Sequence, residues 1–393
     1  MLEQTGSMFA ALRRRLPFGA AASGVRTRVG LQFRGEQLAL ARVHVDAGAA
    51  PQLERLQCIH VELAQRAQAI RQLANMGVLR GADVRLVLSP GEYDLYQLPA
   101  PNIPDDEIRE ALRWQLRETL PYSPEDAQID HTRIPEPAAT DRAAASKPSV
   151  FVVAAPRATV EQLVSPFTAA GIAVSAVDVP EYCQRNLAML QKHAVGPVGQ
   201  ANPLESAEPD IAMGGAHSTG CVAWLSFEAD ACVLTVQTGA EHRQPHELCF
   251  TRRIHIPGAD GSASHGSIET DHTVSYLIER IATQVQRSLD VFERQSGQPA
   301  VVRLTVGPHR HGATLAQTLA DRLALVCHLF NPAERFEPSN DHPPAHSTAW
   351  ADALFALGAA LRTEQGSSAA HDSLTRRLAQ RWQHWSQSLR RAA

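Results

Sequence analysis

The chain has 393 residues, more than one hydrophobic core of ordinary size requires, so we expect at least two domains or lobes. Its apolar content of 44% and charged content of 20% are those of a soluble globular protein. A formal net charge of -4 argues against a general nucleic-acid binder, since such proteins are usually basic.

Several features favour a cytoplasmic protein. The six cysteines are scattered and form no C-x-x-C pair, which is typical of small buried side chains in a reducing compartment. No apolar run approaches the roughly 18–20 residues of a membrane span. The N-terminus is basic but lacks the apolar centre of a secretory signal. We therefore expect a chain that stays in the cytoplasm.

The first part of the chain reads as strand, strand, strand, helix, strand. Strands are predicted at 27–33, 37–45 and 53–61, a helix follows at 63–73, and a short apolar strand lies at 84–88. This order of elements is the one with which each lobe of the actin and sugar-kinase fold begins.

The clearest helix signal comes next. Acidic residues at 105–107 favour a helix start, apolar residues recur at every fourth position from Ile108 to Leu120, and Pro121 ends the pattern. A returning strand is predicted at 127–134. A single apolar stripe of this kind is typical of a helix that lies on a small sheet, and the acidic run is better explained as helix-start charge than as a metal site.

This same stretch resembles a known family. The pattern E-x-x-x-A-x-R-W-x-x-x-x-x-L-P-Y-x-x-E-D-A-x-x-D, from Glu107 to Asp130, is similar to the inserted subdomain of the PilM family, cytoplasmic actin-like proteins of type IV pilus assembly. Segments at 150–183, 287–297 and 350–362 resemble PilM segments in the same succession. The variant is most similar to the MshI branch.

The resemblance implies an α/β, actin-like (ASKHA) two-lobed fold with an inserted α+β subdomain in the first lobe, as in PilM and FtsA. The second half of the chain agrees, because it repeats the element order of the first and includes a long helix at 271–295 and an Ala-rich helix at 350–361. The expected divisions are an N-terminal arm (1–24), the first lobe (25–90), the inserted subdomain (91–180), a helix and interlobe linker (181–219), the second lobe (220–362), and a linker with a C-terminal helix (363–393).

By this resemblance, the first nucleotide-binding hairpin is altered. Active relatives carry D-x-G-x-x-x-x-K there, so that an aspartate serves the metal and small residues let the backbone approach phosphate. Here Gln32 replaces the aspartate, Arg34 the glycine and Ala39 the lysine.

The second hairpin and the adenosine turn are altered as well. Ser226 and Glu228 stand where relatives repeat D-x-G, and a carboxylate at that place would repel phosphate. The turn that reads S-G-G-G in active relatives contains Gly307 followed by Pro308, which lacks an N–H donor.

We therefore expect a pseudo-ATPase without catalytic residues, without a metal site and without a required cofactor, ATP and Mg²⁺ being disfavoured. Residual nucleotide binding through Arg34, Arg287 and Gly307 stays open as an alternative, because a guanidinium can pair with phosphate. The H-x-H of His309 and His311 is a weak metal pattern, since it lacks nearby cysteines or carboxylates.

PilM proteins hold a short N-terminal cytosolic peptide of a PilN-type inner-membrane protein, in a groove between the first lobe and the inserted subdomain. By resemblance, Arg113, Trp114 and Tyr122 are candidate partner contacts, because Trp114 lies off the apolar stripe of its helix. Burial of Trp114 within the subdomain is the alternative.

The C-terminal segment predicts a basic amphipathic helix. Such a helix suits an anionic membrane surface, as at the end of FtsA, although packing on the body or on a partner is equally open. The apolar face and its basic flank consist of Leu378, Trp382, Trp385, Leu389, Arg377 and Arg381.

Together these features predict a cytoplasmic scaffold, peripheral on the inner membrane, in the assembly platform of type IV or MSHA-type pili. Its expected partner is a PilN-like membrane protein, bound through that protein's N-terminal peptide. The alternatives are an ATP-binding actin-like switch of the same machinery and the cytoplasmic component of a type II secretion platform.

Overall fold

The computed structural model describes residues 26–46, 49–104, 107–137, 148–192, 220–239, 246–258, 271–344 and 347–362. The predicted N-terminal arm and the predicted C-terminal helix, with its candidate residues from Arg377 to Leu389, lie outside this part of the chain.

Thirteen strands and eight α-helices follow one another along the described residues. The strands are β1 (Arg26–Arg34), β2 (Gln37–Val45), β3 (Gln52–His60), β4 (Asp83–Val87), β5 (Asp94–Pro99), β6 (Ala127–Arg133), β7 (Ser149–Pro156), β8 (Val174–Asp178), β9 (Cys221–Glu228), β10 (Ala231–Gln237), β11 (Leu248–His255), β12 (Val301–Val306) and β13 (Val326–Leu329). The helices are α1 (Arg66–Asn75), α2 (Ile108–Gln115), α3 (Arg157–Ala169), α4 (Pro180–Lys192), α5 (Asp271–Gln295), α6 (Gly312–Leu323), α7 (Ala349–Asp352) and α8 (Leu354–Leu361).

The first sheet has the strand order β3-β2-β1-β4-β8. Its first three strands form an antiparallel meander, and β4 and β8 run parallel to β1. Alternate residues of β1, namely Val29, Leu31 and Phe33, are buried in one cluster with residues of α1 and α3. This face of the sheet therefore forms the core of the first lobe.

The second sheet repeats this plan with the order β11-β10-β9-β12-β13. A meander of β9, β10 and β11 is again followed by two parallel strands. Leu225 of β9, Val285 of α5 and Leu319 of α6 share its core cluster. The internal duplication predicted from the element order is thus present in the hydrogen-bonded sheets.

A third, three-stranded sheet of order β5-β7-β6 forms the inserted subdomain, and α2 packs on it. The whole predicted apolar stripe from Ile108 to Leu120 is buried. The α-helix itself, however, ends at Gln115 and does not reach Leu120. The chain continues from there in turns up to Pro121.

Two predicted boundaries are corrected by the structure. The inserted subdomain was expected to extend to residue 180, but β8 pairs with β4 in the first sheet and α3 packs in the first core. The subdomain sheet therefore ends with β7, at Pro156. The single helix expected at 350–361 is two helices, α7 and α8, separated at Ala353.

Helix α8 lies at the junction of the lobes. Gly30 of β1 allows its close approach, because a Cβ atom at that position would lie 1.9 Å from the carbonyl oxygen of Ala356. On its other side, Gly358 packs in the same way on the backbone of Cys183 in α4. Two glycines thus let α8 sit directly between the first sheet and α4.

Candidate functional site

A cavity of about 1100 Å³ opens between the two lobes. Its wall includes the β1–β2 turn, the β9–β10 turn, the end of β11, the turn after β12, and α7. Arg34, Glu228 and Arg253 are among its charged lining residues. The two hairpins that the sequence assigned to a former nucleotide site therefore do face one cleft.

In the first hairpin, the side chain of Arg34 is already bound to another residue of the chain, Asp352. Arg34 donates to both the carboxylate and the main-chain oxygen of Asp352, each at 3.3 Å. Gln32 is buried in β1 beside Ala39 of β2, and no hydrogen-bond partner for its amide lies within the described residues. Neither position offers a carboxylate that could hold a metal ion.

The second hairpin is hydrogen-bonded to the helix α4. The hydroxyl of the fully buried Ser226 donates to the side-chain oxygen of Gln184, whose amide nitrogen donates to the main-chain oxygen of Trp224 at 2.8 Å and to Thr235 at 3.0 Å. Gln184 is itself fully buried, so this small network ties α4 to β9 and β10.

A charged cluster crosses the cleft beside this hairpin. Arg253 of β11 donates to Glu228, to Glu181 at 3.3 Å and to the hydroxyl of Tyr93 at 2.7 Å, and that hydroxyl donates to Glu181 at 2.6 Å. Tyr93 follows β4 in the first lobe, whereas Glu228 and Arg253 belong to the second sheet. Side chains alone therefore connect the lobes here.

Burial shifts the pKa values of two members of this cluster, Glu228 and Tyr93. It raises the pKa of the Glu228 carboxyl, an effect that the Arg253 and Arg34 guanidinium groups only partly offset. It also raises the pKa of Tyr93, and the nearby Glu181 carboxylate adds to the rise. At neutral pH Tyr93 is thus a neutral donor, which suits its hydrogen bond to Glu181.

An apolar cluster lies at the junction of the two lobes. Phe355 of α8, only 2% exposed, packs with Val87 of β4, Val233 of β10 and Cys183 of α4. Val87 belongs to the first sheet, Val233 to the second sheet, and Cys183 and Phe355 to the helices α4 and α8. The side chains of the chain itself thus fill the space where the two sheets approach each other.

The turn after β12 packs tightly against neighbouring residues of the chain. The N–H of Gly307 donates to the main-chain oxygen of Leu225 at 2.7 Å, and a Cβ atom at this glycine would meet Leu225 at 3.1 Å and Leu354 at 3.5 Å. The ring of His309 lies against Phe227, with 4.5 Å between ring centroids. This glycine serves the packing of the turn.

The H-x-H pattern forms a local turn. Nδ1 of His309 accepts a hydrogen bond from the main-chain N–H of His311 at 3.1 Å, so this nitrogen already has a partner. In the described part of the chain, no three His, Cys, Asp or Glu side chains come together as metal ligands would.

The three residual nucleotide candidates are not brought together. Arg34 lines the cleft, Gly307 packs under Leu354, and Arg287 lies in a separate groove between α5 and β11. Sequence reasoning found Glu228 but not Tyr93, Glu181 or Arg253, because residues far apart in the chain leave no local pattern.

Comparison with known proteins bears on the fold. No protein-family model and no curated protein matches the chain. Among solved structures, a PilM-PilN type IV pilus biogenesis complex is similar over 86% of this chain and 99% of that chain, with a TM-score of 0.59 and 18% identity. The chain has the actin-like fold of PilM.

Two other solved structures are similar at lower scores. The cytoplasmic domain of EpsL, an inner membrane component of the type II secretion system of Vibrio cholerae, matches 86% of this chain and 96% of its own, with a TM-score of 0.41 and 9% identity. A Bacteroides thetaiotaomicron protein with an actin-like ATPase fold matches 84% and 95%, with the same score and identity. The predicted actin-like fold is confirmed, whereas the MshI branch stays a prediction.

In this PilM-like fold, two of the three candidate partner contacts share one helix. Arg113 is ion-paired with Glu110 at 2.8 Å, and the neighbouring Trp114 is 62% exposed, with the guanidinium of Arg117 5.9 Å from the centre of its ring. The alternative that Trp114 is buried in the subdomain is therefore wrong. Arg113 and Trp114 form an accessible surface on α2.

Tyr122 lies elsewhere in the subdomain. It is half-buried against the subdomain core, and burial together with Asp94 and Tyr96 raises its pKa to about 12. Its neighbours Asp94 and Tyr96 belong to β5, so Tyr122 lies beside this edge strand. Among the described helices, none has the length and apolar content needed to cross a membrane.

Proposed function

We propose that this protein is a non-catalytic, actin-like scaffold in the inner-membrane assembly platform of type IV or MSHA-type pili. It would lie at the cytoplasmic face of the membrane and hold the cytosolic N-terminal peptide of a PilN-like membrane protein. The observation that carries the proposal is that, in the interlobe cleft of a PilM-like fold, Arg34 and Glu228 are already paired with Asp352 and Arg253, and Gln32 offers no carboxylate for a metal ion.

Electrostatics disfavour ATP in this cleft. Glu228 faces the cavity, and two like charges at about 4 Å repel by roughly 1 kcal/mol in water and about 4 kcal/mol near a protein surface. Gln32 cannot replace a carboxylate as a ligand for Mg²⁺, which prefers charged oxygen ligands. A triphosphate would also have to compete with Asp352 for Arg34.

The subdomain surface favours a partner. Exposed tryptophan is enriched at protein interfaces, because a large rigid ring buries much area at little cost in conformational entropy. The guanidinium of Arg117 lies 5.9 Å from the centre of the Trp114 ring, so a peptide that docks on this ring would meet a positive charge, which favours acidic side chains. The edge strand β5 is half-exposed and offers backbone pairing to an extended peptide.

Calorimetric titration of the full-length protein tests both halves of the proposal. One titrant is Mg-ATP, and the other is the N-terminal peptide of a PilN-like protein from the same organism. We expect heat from the peptide and none from ATP. Micromolar ATP binding would contradict the scaffold and favour the nucleotide-dependent switch, whereas absence of peptide binding would remove the proposed partner.

The membrane role of the C-terminal segment is a separate part of the proposal. Trp382 and Trp385 lie on the predicted apolar face, next to arginines that anionic lipids attract. Co-sedimentation with vesicles containing phosphatidylglycerol should capture the wild-type protein and lose a Trp382→Ser, Trp385→Ser variant. Equal sedimentation of both proteins would exclude this segment as the membrane contact.

A further inference from the structure

A second groove, of about 480 Å³, runs between the strand β11 and the helix α5 on the second lobe. Its lining is strongly basic although the whole chain has a net charge of -4. The charged and titratable lining residues are Arg252, Arg253, His255, Arg287 and Arg294, against a single carboxylate, Asp290. We call this the β11 groove.

Two of these arginines have no hydrogen-bonding or ion-pair partner among the described residues. Arg252 and Arg287 are exposed, and neither makes a hydrogen bond or ion pair with any other residue that the structure describes. By contrast, Arg253 is held by the interlobe cluster, and Nε of Arg294 donates to the main-chain oxygen of Asp290 at 3.0 Å. The groove therefore presents at least two guanidinium groups without an acidic partner.

The strand beside these arginines is an edge strand. β11 is the last strand of the second sheet and pairs with β10 alone. Within the described residues, no main-chain hydrogen bond reaches its outer edge. An exposed edge is a template for another strand, and positive charge beside it opposes pairing between two copies of the same edge. The same charge would admit a strand that carries carboxylates.

We propose that the β11 groove binds an extended acidic segment of a partner polypeptide, which adds to the edge of β11 and pairs its carboxylates with Arg252 and Arg287. Arginine suits this task because its planar fork binds a carboxylate through two parallel hydrogen bonds. Backbone pairing would supply affinity, and the arginines would select for acidic side chains.

The length of the groove fits a short segment. Arg287 and Arg294 are seven residues apart on α5, which corresponds to about 10 Å along a helix axis. About three residues of an extended strand cover that distance, so a segment of about three to four residues reaches from Arg287 to Arg294. The site is on the second lobe, away from Trp114, and would serve a partner other than the peptide proposed for the subdomain.

Fluorescence anisotropy with the full-length protein tests this inference. The probe is a fluorescein-labelled eight-residue peptide with glutamate at every second position and valine or threonine between them, titrated at about 25 mM and about 150 mM salt. For an Arg252→Glu, Arg287→Glu variant we expect affinity at least about tenfold weaker than wild type. Arg280→Glu, at an exposed position of the same helix that lines neither groove nor cleft, should change it less than about twofold.

Each other outcome overturns the inference. No binding to wild type excludes the site, and equal weakening by the groove variant and by Arg280→Glu leaves only general charge attraction. A peptide of the same charge with prolines at two intervening positions should bind at least about tenfold more weakly, since proline removes the backbone donors; equal binding would exclude strand addition. Binding of phosphatidylglycerol vesicles through Arg252 and Arg287, without peptide binding, would reassign the groove to a lipid surface.

Discussion

The guanidinium of Arg253 donates to the hydroxyl of Tyr93 at 2.7 Å, although 160 positions separate the two residues in the chain. One belongs to the edge strand of the second sheet, and the other follows β4 of the first. Their hydrogen bond, extended to Glu181 and Glu228, lies at the cleft that the two altered hairpins line. In this chain, protein side chains provide a connection between the lobes at that cleft.

Replacing Arg253, the cation of this cluster, by methionine should destabilise the protein by about 2–3 kcal/mol. Arg253→Met leaves Glu181 and Glu228, whose side chains are 4% and 6% exposed, without their cation. Breaking a fully buried pair costs about 3–5 kcal/mol, and the 27% exposure of Arg253 reduces this figure. The free energy of unfolding from urea titration measures the change.

A matched control separates this effect from general loss of charge. Arg303→Met removes an exposed arginine of β12 that makes no ion pair with another described residue, and it should change stability by less than about 0.5 kcal/mol. Adding Glu228→Gln to Arg253→Met should recover part of the loss, because the cost lies in the uncompensated carboxylate. Equal destabilisation by both single variants would contradict the role of the cluster.

The pH dependence of stability should differ in sign between two carboxyls. Burial raises the pKa of Glu228 in the folded chain, so its stabilising contribution exists below the unfolded pKa of about 4.3 and is lost as the pH rises through the folded pKa. Glutamine mimics the protonated form. Relative to wild type, the free energy of unfolding of Glu228→Gln should therefore increase as the pH rises above about 4.3.

Asp83 provides the opposite case. Burial alone would raise the pKa of its carboxyl, but Arg85, Ser175 and Arg28 together lower it. Its contribution is present above the unfolded pKa of about 3.9 and is lost as the pH falls through the folded pKa. Asp83→Asn should thus be less stable than wild type at neutral pH, with a difference that shrinks toward about pH 3. Urea unfolding at a series of pH values measures both trends, and slopes of the same sign would contradict them.

Trp114 should affect partner binding without affecting the fold. Because its ring is 62% exposed, Trp114→Ala should change the free energy of unfolding by less than about 0.5 kcal/mol. If α2 contacts the PilN-like peptide, the same change should weaken that binding by about 2 kcal/mol, or roughly thirtyfold. Trp350→Ala is the structural control, since this tryptophan is 3% exposed and its loss should cost about 3–5 kcal/mol of stability.

The architecture was predictable because it follows from periodic patterns. The 25-residue helix α5 was expected at its observed limits, since its apolar side repeats at helical spacing over many turns. The limits of short elements were predicted less accurately. The stripe from Ile108 to Leu120 is buried as expected, yet the α-helix stops at Gln115, because turn geometry keeps the last apolar residues in place equally well.

What sequence reasoning missed depends on pairing between distant segments. The pattern of β8 marks a strand but does not say whether it joins the first sheet or the subdomain, and the boundary at 180 was wrong for that reason. The altered hairpin positions were found through the resemblance, whereas the partners that occupy them, Gln184 for Ser226 and Arg253 for Glu228, have no local signature.

The contact between β1 and α8 should be the least tolerant of change. In Gly30→Ala, the new Cβ would lie 1.9 Å from the carbonyl oxygen of Ala356 and 2.9 Å from the main-chain nitrogen of Ala360. Both atoms are backbone, so trimming a neighbouring side chain cannot relieve the clash and α8 must move away from the sheet. We expect a loss of at least about 3 kcal/mol, the upper end for overpacked cores. Gly91→Ala is the control, because nothing lies within 4 Å and only its positive φ of 83° opposes alanine, at about 1–2 kcal/mol. Thermal and urea unfolding compare the two, and an equal loss in both variants would mean that α8 does not pack on β1 through this glycine.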